Sequence, residues 1–114
     1  MNLEIITKDI LALTTQVAEF ISEERNKISS DKVESKGIHD FVTYVDKTSE
    51  KKLVEGLKKI IPIAGFIAEE QTETFKAQEY NWIIDPLDGT TNYIHGAPPY
   101  AISIALKQHN EIII

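Results

Sequence analysis

Apolar residues recur at spacings of three and four from the start of the chain: Leu3, Ile6, Ile10, Leu13, Val17 and Phe20, with Ile5, Leu11 and Ile21 widening the stripe. That period predicts an amphipathic helix reaching the Glu23 to Lys27 region, with its apolar side on a core. Ser29 to Gly37 is polar and reads as a connection, with Val33-Glu34-Ser35 a short strand inside it. Phe41-Val42-Thr43-Tyr44-Val45 is rich in β-formers and follows Gly37, so the two runs are expected to pair as a hairpin. Asp46 closes that strand. A second helical pattern then carries Leu53, Val54, Leu57, Ile60 and Ile61 on one side, with Glu55 and Lys59 four apart on the other, until Pro62 ends it.

Beyond Pro62 the period changes. Gly65-Phe66-Ile67-Ala68 reads as a short buried strand that delivers Glu69 and Glu70 at its end, and Thr72 to Asn81 is polar and loop-like. Trp82-Ile83-Ile84 is strand-like and stops at Asp85, because Pro86 biases the preceding residue away from the helical region and Gly89 admits a conformation other residues resist. A sharp turn is expected there. Pro98-Pro99 interrupts the chain before a strand over Ala101 to Leu106, Gln108-His109-Asn110 turns, and Glu111-Ile112-Ile113-Ile114 begins another strand. A free Ile-Ile-Ile run would be an unpaired sticky edge, so the chain is expected to be a piece of a longer protein, a single incomplete domain over residues 1–114.

Composition narrows the function. The 114 residues are 42% hydrophobic and 26% charged, ordinary for one soluble domain with one core. A net charge of −6 argues against a general nucleic-acid or anionic-membrane surface, and an anionic substrate would need bound cations beside it. There is no cysteine, which removes disulfides, thiolate metal sites and cysteine nucleophiles. Glu4, Lys8 and Asp9 break up any signal-peptide core, and no segment approaches a membrane-spanning length, so the expected location is the cytoplasm.

Chemistry concentrates at three predicted strand ends: Asp46, then Glu69-Glu70, then Asp85 with Asp88. Convergence of those ends would build one polar crevice. Each also has a plain structural account, since Asp46 can cap a helix starting at Thr48, Glu69-Glu70 can be a solvated strand end, and an Asp-Gly turn is common. Asp85 and Asp88 say more, because two carboxylates so close repel unless a cation or solvent intervenes, and oxygen ligands suit hard cations such as Mg²⁺. An EF-hand fails on spacing, as Pro86 intrudes and Gly96 stands where a bidentate Glu belongs. His39, His95 and His109 share no metal-ligand spacing, and the pairs Lys51-Lys52 and Lys58-Lys59 read as solvated charge.

Asp85-Pro86-Leu87-Asp88-Gly89-Thr90-Thr91-Asn92, preceded by Trp82-Ile83-Ile84, by Ala68-Glu69-Glu70 and by Thr43-Tyr44-Val45-Asp46, resembles the inositol monophosphatase family in motif and in block order. Ala68 stands where the family has Gly, and Tyr93 where it often has Phe. The resemblance implies an α+β protein with the layered α/β/α sugar-phosphatase-like fold, of which this chain would be the N-terminal half, two long helices on a mainly antiparallel sheet. It also implies a lithium-sensitive, Mg²⁺-dependent hydrolase of a small phosphomonoester, usually a homodimer. By position, Glu69, Asp85 and the Leu87 carbonyl would hold one Mg²⁺, Asp85 and Asp88 would share a second, and Asp46 would reach a third through water. Glu69, assisted by Thr90 and Glu70, would orient the attacking water, and the amides of Gly89 and Thr90 would hold phosphate. A later Trp-Asp motif of the family would complete the second metal site. The competing reading is a binding or regulatory module that keeps the fold without turnover.

Overall fold

The computed structural model describes residues 1–28, 35–68, 76, 77, 79–97 and 99–114. Helix α1 (Leu3–Ile28) opens on Asn2, whose side-chain oxygen accepts the Glu4 and Ile5 N–H groups at 3.1 and 3.2 Å, the usual way an asparagine satisfies orphan amides at a helix start. Of its predicted stripe, Ile6, Ile10, Val17 and Ile21 enter the core and Leu13 packs against it, while Leu3, Ile5 and Leu11 face solvent.

Helix α2 (Ser35–Ile60) corrects the expected hairpin. Of the two proposed strands, Val33 and Glu34 lie outside the described residues, while Ser35 and Phe41 to Val45 are helical. The β-formers also carry a second signal, because Val42, Val45, Ser49, Leu53 and Leu57 recur at three and four. Coiling them buries all five on one side, continuous with the helix that follows, and such burial overrides a weak local propensity. Tyr44 packs tilted rings against Phe20 and Phe41 at 6.3 and 6.0 Å, which ties α2 to α1. Asp46 therefore sits inside a helix, neither at a strand end nor at an N-cap.

After Pro62 the chain forms a four-stranded sheet in the order β1-β2-β3-β4. Strand β1 (Gly65–Ala68) runs parallel to β2 (Tyr80–Asp88), and β3 (Ala101–Gln108) and β4 (Glu111–Ile112) complete the sheet antiparallel. The expected loop from Thr72 to Asn81 is shorter at its end, since Tyr80 and Asn81 already pair with Gln108 and Lys107. Phe66, Trp82 and Leu106 stand side by side across β1, β2 and β3, all buried, and α2 packs over β2. His109 takes the left-handed conformation (φ 52°) in the β3–β4 turn. The Ile run is not free: the Ile113 N–H donates to Leu106 O at 2.8 Å and the Leu106 N–H donates to Ile114 O at 3.0 Å. The result is two long helices on a mixed, mainly antiparallel sheet, and no described helix is long and apolar enough to cross a membrane.

Candidate active site

Strand β2 does not stop at Asp85. Its pairing with β3 advances three residues, from Asp85 to Asp88, while β3 advances two, from Ser103 to Ala101, so one extra residue bulges on β2. Pro86 occupies that bulge with its side chain fully buried, a place where the missing N–H costs no ladder bond. The sharp turn falls three residues later than the proline suggested, at Gly89.

The bulge and the turn are held by short-range bonds. The Leu87 N–H donates to Asp85 Oδ1 at 3.3 Å, an Asx-type contact, and the Leu87 side chain plugs into the core. The Thr90 hydroxyl donates to the Leu87 carbonyl at 3.2 Å. Gly89 has φ 88° and ψ 40°, and a Cβ there would stand 2.7 Å from Pro99 O, so both the conformation and the space require glycine. Helix α3 (Thr90–His95) starts immediately afterwards and ends at Gly96, also left-handed, whose N–H donates to Tyr93 O at 3.1 Å. The Asn92 amide donates to Pro99 O at 2.8 Å, folding the following loop back over the turn.

Asp85 is half-buried and Asp88 exposed, on either side of the bulge. Beside Asp88 and Gly89 an open cavity of about 230 Å³ is walled by Asn92, Pro99, Tyr100 and Ala101. Because β1 and β2 are parallel, their carboxyl ends share one edge of the sheet, and Ala68 pairs with Ile84, the residue before Asp85. Such edges are where open α/β sheets present their ligand crevices. Glu69 and Glu70, expected at this edge, lie outside the described residues. Among the described residues no three His, Asp or Glu groups cluster as a metal site. The histidines stay apart, with His109 Nε2 3.7 Å from Glu79 Oε2.

Tyr93 is the residue the motif reading undervalued. It is fully buried, its hydroxyl donates to the Ile21 carbonyl of α1 at 3.0 Å, and its ring meets Tyr100 edge-on at 5.1 Å. Burial raises its pKa above the ordinary value near 10; Tyr100 and the charges of Glu24 and Asp46 push the same way, and Arg25 opposes them. The only signal for this role was the hydroxyl itself, at a position where the resembled family often has Phe.

A mixed sheet under two long helices, with an acidic strand end hinged by a left-handed glycine, defines an α+β protein of the layered sugar-phosphatase type. The chain belongs to the inositol monophosphatase family, whose sequence model matches residues 2–114. It is 43% identical over 94 residues to the fructose-1,6-bisphosphatase/inositol-1-monophosphatase of Aquifex aeolicus, covering 82% of this chain and 36% of that protein. It is 55% identical over 76 residues to the putative Nus factor SuhB of Neisseria meningitidis, covering 66% of this chain and 29% of the relative. The native crystal structure of the extragenic suppressor protein SuhB from Bartonella henselae superposes with a TM-score of 0.78 at 31% identity, covering 96% of this chain and 43% of the other. The chain spans about a third of the length of the curated relatives it matches.

Proposed function

We propose that the protein carrying this chain hydrolyses a small phosphomonoester of the inositol monophosphate kind with Mg²⁺. The observation that carries the reading is the turn itself, where two carboxylates and a strand-end carbonyl lie within four residues of a glycine that opens a helix. The donors are all hard oxygens, the set that Mg²⁺ prefers. Glu69, Asp85 and the Leu87 carbonyl would hold one cation, Asp85 and Asp88 a second, and Asp46 would reach a third through water. When bound, the cations supply positive charge that acidifies a water and stabilises the leaving oxygen.

The chain's own residues do the remaining work. The Gly89 and Thr90 amides hold the phosphate, as unsatisfied N–H groups at a helix start can. Glu69, assisted by Glu70 and Thr90, would orient the attacking water in line with the ester bond that breaks. The Thr90 hydroxyl, already donating to Leu87 O, braces the helix start against the strand end that carries the acids.

The 114 residues form part of one domain, and the groups that complete the second metal site and grip the alcohol lie elsewhere in the protein. The length shared with the relatives supports this. Inositol 1-phosphate hydrolysis, measured with and without Mg²⁺ on the natural-length protein and on residues 1–114, tests both statements. Turnover is expected only from the longer protein with Mg²⁺, and comparable turnover by the fragment would sink the division. The intact protein is proposed to be a cytoplasmic homodimer, which light scattering on a sizing column checks.

A second reading has a specific support, the 55% identity to a protein named as a putative Nus factor. On that reading the fold and metal persist in a binding or regulatory module without turnover. Retention of Asp85, Asp88, Thr90 and Glu69 favours the enzyme, and an inactive natural-length protein whose melting point still rises with Mg²⁺ would favour the module.

A further inference from the structure

A residue with no charge at neutral pH joins the turn to the rest of the molecule. Tyr93 closes the first turn of α3 with its N–H on Gly89 O at 3.0 Å, so its backbone and the glycine move together. Its hydroxyl reaches 72 residues back along the sequence to the carbonyl of Ile21, in α1. A carbonyl has two lone pairs, so Ile21 O can take this bond in addition to a helical one. The ring is wedged edge-on against Tyr100, whose Cα would lie 3.2 Å from a Cβ on Gly89. At the far end of α3 the Arg25 guanidinium lies over Gly96, where any Cβ would collide with it. Ile21 and Arg25 are one helical turn apart, so α1 meets α3 at Tyr93 and again at its C-terminal cap. A six-residue helix has too few internal bonds to hold its own direction, and its orientation comes from its packing on α1, through these contacts, and on α2.

We infer that Tyr93 is a positioning residue whose hydroxyl, bonded to the Ile21 carbonyl, sets the angle at which the Gly89 and Thr90 amides face a bound phosphate. The inference rests on the reading of that turn as the phosphate seat. Phenylalanine at position 93 would keep the ring and the contact with Tyr100 but release the helix from α1. A tyrosine hydroxyl is protonated near neutral pH in any setting, so it remains a donor there.

The test is Tyr93→Phe in the natural-length protein, read by hydrogen exchange and by steady-state kinetics with inositol 1-phosphate and Mg²⁺. Amides of α3 are expected to exchange about tenfold faster while those of β2 and β3 are unchanged, the mark of a local opening. KM is expected to rise about fivefold with kcat within twofold of the parent, because a seat lost equally to substrate and transition state shows in KM alone. A merely structural role would instead shrink the active fraction, lowering kcat at constant KM. An active parent whose Tyr93→Phe variant keeps its α3 exchange rates or its KM overturns the inference. An inactive parent with a loosened α3 in the variant sinks the phosphatase reading while supporting the tie.

Discussion

Strand β2 is two strands in one. From Tyr80 to Asp85 it pairs residue for residue with Gln108 to Ser103, and its inward side chains, Trp82 and Ile84, lie fully in the core. From Asp85 to Asp88 the ladder carries an extra residue, Pro86 and Leu87 are the buried ones, and the two acids are left half-buried and exposed. The same strand thus anchors the fold with its first half and carries both carboxylates along its second, the half on which the proposed chemistry rests. Buried apolar contacts fix where the acids stand, and the bulge at Pro86 and Leu87 separates their two paired positions. Damage to the first half should appear as lost stability, and damage to the second as lost ligand response.

The largest stability effect is expected from Trp82→Ala. Trp82 is fully buried between Phe66 and Leu106, and removing a side chain of that size from a packed core costs about 3–5 kcal/mol. Urea unfolding of the natural-length protein measures it. A loss below about 1 kcal/mol would mean that the regular half of β2 is not the anchor, since ordinary surface changes are already that small.

Much of the scaffold that the first half anchors was legible in the sequence, because its signals are local. The α1 stripe, the end of α2 at Pro62, strand β1 and the core of β3 all follow from period and punctuation within a few residues. The second half was legible in its chemistry and misread in its geometry. Pro86 alone implies the end of the strand, but a proline fits equally in a bulge, and only the partner strand decides which. Residues 41–45 carried two periods at once, and the tertiary core chose the helical one. Tyr93 could not be read at all, since its hydroxyl's partner is far away in sequence and a main-chain atom. For Glu69 and Glu70 the motif remains the whole argument.

Gly89→Ala strikes the hinge between the strand and α3. The left-handed backbone costs a non-glycine residue about 1 kcal/mol or more, and the added Cβ must also move Pro99 O, which Asn92 holds at 2.8 Å, so a total of about 2 kcal/mol is expected. If the hinge carries the proposed phosphate seat, phosphate protection against thermal unfolding should vanish in this variant with β2–β3 exchange unchanged. A variant as stable as its parent would show that the turn adapts freely and that the division between the two halves is soft.

A smaller effect belongs to alkaline pH. Tyr93 has a folded-state pKa raised above the unfolded value near 10, so the folded state keeps a proton that the unfolded state has released. Stability from this group is complete below that pH and declines as pH rises above it. Tyr93→Phe removes the ionisation, so the parent's stability should fall more steeply than the variant's above about pH 10, by up to about 1.4 kcal/mol per pH unit. Parallel curves in urea titrations from pH 9 to 11 would show that the hydroxyl is not sequestered.

The smallest stability effect, with the largest functional one, is expected from Asp85→Asn. The amide oxygen can still accept the Leu87 N–H, which meets the carboxylate at a long 3.3 Å, so the bulge has little reason to move. The change also removes one of two neighbouring negative charges. Without Mg²⁺ the natural-length protein should therefore unfold within about 0.5 kcal/mol of its parent. With Mg²⁺ the two should separate: a ligand at a hundred times its Kd stabilises the state it binds by about 2.7 kcal/mol, and a neutral amide at the shared ligand position forfeits most of that. Thermal melts at several Mg²⁺ concentrations compare the two directly. If Asp85→Asn keeps the parent's Mg²⁺ response, the acids at the bulged end of β2 are solvated charge, and the distinction between an anchoring half and a chemical half collapses. If it loses the response while keeping its Mg²⁺-free stability, the fold and the site are separable within one strand, at the residue where the ladder breaks.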